Sequence, residues 1–161
     1  MGRWLVWTGV WLAALVGCDD AQVTDPRFAT PERTVATLLA THGLADESQD
    51  AIRARIAERG SFELRDAETW RMCFTDLDRP GGEGMAGYVL GLLAAGREDL
   101  RYETIADRGY AMPREGIRVV LERGQDGAFR IVLAESVPEE VQRGLLQVEE
   151  NARRRRAPPG P

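Results

Sequence analysis

The feature that most limits what this chain can fold into is its start. A single basic residue, Arg3, precedes an apolar run over residues 4–16, and Gly17-Cys18 follows. At 1.5 Å per residue that run is roughly 20 Å long as a helix, short of a hydrocarbon core of about 30 Å. A basic start, a short apolar stretch and a small residue before a cut are the parts of a secretory signal. Residues 1–17 are therefore expected to leave the mature protein. What remains of the 161 residues is the size of one domain.

The end of the segment, Leu15-Val16-Gly17-Cys18, resembles the lipobox of bacterial lipoproteins. The resemblance implies cleavage between Gly17 and Cys18, a diacylglycerol on the Cys18 sulfur and a second acylation of the new amino group. Two or more acyl chains are needed for firm anchoring, since each buried methylene contributes about 0.8 kcal/mol. It also implies a cell-envelope location facing the periplasm, with the lipid bilayer as partner. An ordinary cleaved signal would equally place Gly17 before the cut, but would not require Cys next. Asp19 resembles the signal that retains enteric lipoproteins in the inner membrane; the rule differs between bacterial groups, so both membranes stay open. Met1-Gly2 does not make a myristoylation site, because Val6 stands where that motif needs Ser or Thr.

Composition bounds the rest. The net charge is −5 and the leader removes one positive charge, so the mature chain is more acidic still. That argues against general nucleic-acid binding. Every basic side chain is Arg. Of two cysteines, Cys18 is assigned to lipid, which leaves Cys73 without a disulfide partner in the chain. Between Met72 and Phe74, it reads as a buried small hydrophobe rather than a nucleophile.

Residues 18–29 read as lipidated Cys18 plus a tether, and residues 30–150 as a single domain. Thr30-Pro31-Glu32 is a helix start. Val35, Leu38, Leu39 and His42 then share one helical face, and Gly43 ends it. A second, highly charged helix is expected over residues 46–59. Asp66 caps a third carrying Trp70, Cys73, Phe74 and Leu77. A small-residue-rich helix is expected over 84–95, with Gly87 and Gly91 at the spacing of close helix packing.

From Leu100 the pattern becomes extended. Residues 100–105, 117–122 and 128–134 read as strands, the last two joined by Gly124-Gln125-Asp126-Gly127. Ser136-Val137-Pro138-Glu139 resembles a capping box ahead of a helix with Val141, Leu145 and Val148. Residues 151–161, with Arg153, Arg154, Arg155, Arg156 and a Pro-rich end, read as a disordered tail. That tail could make weak contacts with anionic groups; a solvated helix end accounts for it equally well.

The expected fold class is α+β, with N-terminal helices packed on a small antiparallel sheet of about three strands plus a C-terminal helix. The Thr-Pro-Glu helix start and the Gly-containing hairpin are similar to envelope lipoproteins with a nuclear-transport-factor-like cone. The helix at 84–95 and the last helix depart from that pattern, and no catalytic residue is carried across. No Walker loop, nucleophile elbow, metal spacing or cofactor motif occurs. The sequence therefore favours a non-enzymatic, membrane-anchored module that binds an envelope protein or a ligand. The alternative is a small pocket enzyme of nuclear-transport-factor-like or SnoaL-like type, using His42 and nearby acids such as Asp46.

Overall fold

The structure is a computed structural model that describes residues 23–58 and 60–156. In chain order the elements are α1 (Pro31–Ala40), α2 (Gln49–Ala57), α3 (Ala67–Met72), α4 (Gly82–Ala95), β1 (Arg101–Ile105), β2 (Arg108–Arg114), β3 (Ile117–Arg123), β4 (Phe129–Ile131), α5 (Leu133–Ser136) and α6 (Glu139–Arg156). The class is α+β as expected, with four strands rather than three in an antiparallel meander ordered β1-β2-β3-β4.

Local chemistry sets most boundaries. Thr30 accepts the Arg33 N–H at the start of α1, with Pro31 at the first helical position. At the other end the Gly43 N–H donates to Ala40 O (2.9 Å) and the Leu44 N–H to Leu39 O (3.0 Å). That double closure needs the left-handed conformation Gly43 adopts, φ +67°. Ser48 caps α2, which is shorter than the expected 46–59. Asp66 caps α3 through the Thr69 N–H at 3.0 Å.

Several expectations are corrected. The chain before residue 30 is not all tether: Asp25 caps a 3-10 turn, Pro26–Phe28, and Phe28 is fully buried. Helix α3 stops at Met72, although Cys73, Phe74 and Leu77 are buried as expected. It stops because the following backbone bonds to β4: Ile131 N–H donates to Cys73 O (2.8 Å) and Thr75 N–H to Ile131 O (3.0 Å). The sequence reading leaves residues 108–114 unassigned, yet they form β2, whose register slips between Ala111 and Arg114 at a proline that cannot donate.

The expected strand 128–134 ends at Ile131. The Asp76 carboxylate accepts the Leu133 N–H (2.8 Å) and the Ala134 N–H (2.9 Å), turning the chain into α5. Ser136 does not open α6. It is buried, its hydroxyl accepting the Val120 N–H (2.9 Å) and donating to Val132 O (2.7 Å). Residues 151–156 are helical, not a disordered tail, since α6 runs to Arg156. The leader, Cys18 and residues 157–161 lie outside the described residues.

The core lies where α1 packs on α4 and the sheet, closed by α5 against β3. Phe28, Leu38, Leu93, Leu121, Phe129, Ile131 and Leu133 are among its fully buried side chains. Helix α6 buries no residue; Val141 and Leu145 lean on the core from outside. No described helix is long and apolar enough to cross a membrane.

Candidate functional site: a cleft beside His42

His42 lies in the turn after α1, immediately before Gly43, and is only 7% exposed. Its Nδ1 lies 3.0 Å from the Thr41 hydroxyl, which is itself 2.6 Å from Leu38 O. The hydroxyl has one proton and gives it to the carbonyl, which cannot donate. Nδ1 must then carry the ring proton and donate to Thr41, leaving Nε2 with a lone pair. Burial pushes the His42 pKa below its ordinary value, and a backbone hydrogen bond with Leu38 offsets part of that. The ring is therefore neutral near pH 7.

The ring borders a cleft of about 520 Å³, walled by Ile56, Phe62, Trp70 and Leu90 and floored by α4 at Gly87 and Gly91. Glu83 stands at its rim. Trp70 is braced edge-on against Phe74, ring centres 5.6 Å apart. The Arg55 guanidinium sits 5.5 Å from the Phe62 ring centre and pairs with Glu47 at 2.7 Å. Gly87 and Gly91 do not serve close helix packing as their spacing suggests. A Cβ at either position would meet nothing within 4 Å. The same spacing, one helical turn apart, instead makes a smooth open floor.

The sequence reading pairs His42 with Asp46. The structure does not bring them together: Asp46 is exposed in the turn before α2 and does not line the cleft. Among the described residues no carboxylate pairs with the His42 ring, whose Nδ1 is held by Thr41. The acid that shares the cleft, Glu83, is not one the sequence singles out. The arrangement supplies a hydrogen-bond acceptor in apolar surroundings, which suits orienting a ligand.

Cys73 is fully buried and unpaired, with Sγ directed at Thr69 O (3.4 Å). Burial pushes its thiol up to about 12, so it stays protonated and unreactive, as its apolar flanks suggest.

The arginine cluster borders a second, larger cleft of about 660 Å³ between residues 77–84 and α6, lined by Arg71, Arg79, Arg153 and Arg156. Acids share it: Glu149 accepts the Gly81 N–H at the start of α4 (2.9 Å) and pairs with Arg153, while Arg79 pairs with Asp76. Arg154 pairs with Glu150 on the solvent face, and Arg155 lines a small neighbouring hollow with Arg156. Such exposed pairs contribute little to stability. No group of acids, His and Cys among the described residues forms a metal cage.

No family model, curated protein or solved structure matches this chain.

Proposed function

We propose that this chain is a lipid-anchored lipoprotein of the bacterial cell envelope, facing the periplasm, whose folded part is a non-enzymatic binding module. The observation that carries it is the order Arg3, apolar residues 4–16, Leu15-Val16-Gly17-Cys18. The binding half draws support from the cleft beside His42, whose size falls in the range of about 300–1,000 Å³ usual for small-ligand sites. Arg153, Arg154, Arg155 and Arg156 project from the end of α6. They add attraction to anionic headgroups of up to about 1 kcal/mol each when close to a membrane.

Expression of the full chain in a bacterial host with labelled palmitate tests the anchor. The wild-type protein should take up label and sediment with membranes. Cys18→Ser should lose the label and appear in the soluble envelope fraction. Unlabelled wild-type protein, or membrane association unchanged in Cys18→Ser, would overturn the proposal.

A further inference from the structure

The cleft beside His42 combines three features that together suit a ligand. His42, 7% exposed as a residue, has Nδ1 satisfied by Thr41, and Nε2 has no protein hydrogen-bond partner among the described residues and is open to a ligand. The floor is bare at two positions where side chains would fit, because a Cβ at Gly87 or Gly91 would touch nothing. Two aromatic side chains, Phe62 and Trp70, stand beside that floor. Glycine in a helix interior costs about 1 kcal/mol relative to alanine, so two bare positions a turn apart are an expense the helix itself does not require.

We propose that this cleft binds a neutral, flat aromatic compound bearing a hydroxyl group, which lies over Gly87 and Gly91 and donates its O–H to His42 Nε2. Flatness follows from the smooth floor between aromatic and aliphatic walls. The hydroxyl follows from the tautomer: Nε2 carries a lone pair, so the ligand must supply the proton of the hydrogen bond. Neutrality follows from the same lone pair and from Glu83 at the rim, both of which repel an anion. The inference rests on the binding-module reading but not on Cys18; palmitate labelling and ligand binding can fail separately.

His42 is the only histidine in the chain. Its ring nitrogens can therefore be followed without ambiguity by ¹⁵N NMR of the untagged full chain in detergent micelles. The probe is 4-butylphenol, and the comparison compound is its methyl ether, 4-butylanisole, which has the same shape but no proton to donate. The phenol should shift the Nε2 resonance saturably, and the ether should bind at least about tenfold more weakly. Gly91→Leu should abolish both shifts while melting no lower than wild type, since leucine favours the helix and points into open space. Its residual response also reads the partition of each compound into micelles. Gly87→Leu gives the same test if Gly91→Leu folds poorly. The proposal is overturned by a proton on Nε2, by the absence of a saturable phenol shift, by equal affinity for the ether, or by binding that survives both leucine variants.

Discussion

The joint of β3, β4 and α5 and the helix α6 lie next to one another in sequence and are built on opposite terms. In the joint, ladder pairing continues from Val132 N–H to Val120 O (2.9 Å) and then opens. The Ser136 hydroxyl fills the opening as a relay, taking the Val120 N–H and passing its own proton to Val132 O. Phe129 anchors the same joint: it is almost fully buried, its carbonyl accepts the Thr34 hydroxyl of α1 (2.8 Å), and the Arg123 guanidinium covers its ring at 4.7 Å. Helix α6 has nothing comparable. Val141 and Leu145 only lean on the core, Glu149 reaches the Gly81 N–H, and the pairs four residues apart, Glu149 with Arg153 and Glu150 with Arg154, are largely exposed. A polar group costs most where water cannot replace its partner, so equal numbers of hydrogen bonds in the two regions carry unequal energy.

That contrast can be broken or sharpened by substitution, read by chemical denaturation of the full chain. Phe129→Ala should have the largest effect, a loss of about 3–5 kcal/mol from the cavity left among α1, β2 and β3; a loss below 1 kcal/mol would mean the joint is not closed. Ser136→Ala should cost about 1–3 kcal/mol, because it strands the Val120 N–H with no room for water. Val148→Ala on α6 should change stability by less than about 0.5 kcal/mol, as 66% of Val148 is already exposed. A cost at Val148 equal to that at Ser136 would erase the distinction between the regions.

The parts of the fold legible in the sequence are those fixed by neighbours along the chain. Thr30 with Pro31 and Gly43 bracket α1, and Gly124-Gln125-Asp126-Gly127 places the hairpin. Strand β2 was hidden because two of its residues break strand patterning for reasons that lie elsewhere. Gly109 is needed because a Cβ there would stand 2.5 Å from Pro31 of α1, and Pro113 sits where the register slips. Helix α5 was hidden because its cap, Asp76, is more than fifty residues away in sequence. The candidate site was half legible. The apolar spacing marks His42 as inward-facing, which it is, though in the turn after α1 rather than on the helix; a glycine pair reads the same whether a helix or a void lies opposite. Only the fold decides between them.

One feature of the sheet bears on how the molecule can meet others. The outer side of β4 is occupied by its own chain, Phe74 bridging to Ile131 in parallel. At the far side β1 is a border strand with both surfaces largely in water, Ile105 among them. Growth of this sheet by a foreign ribbon can therefore proceed in one direction only. The charges of Arg101 and Glu103 along that margin act as guards against it.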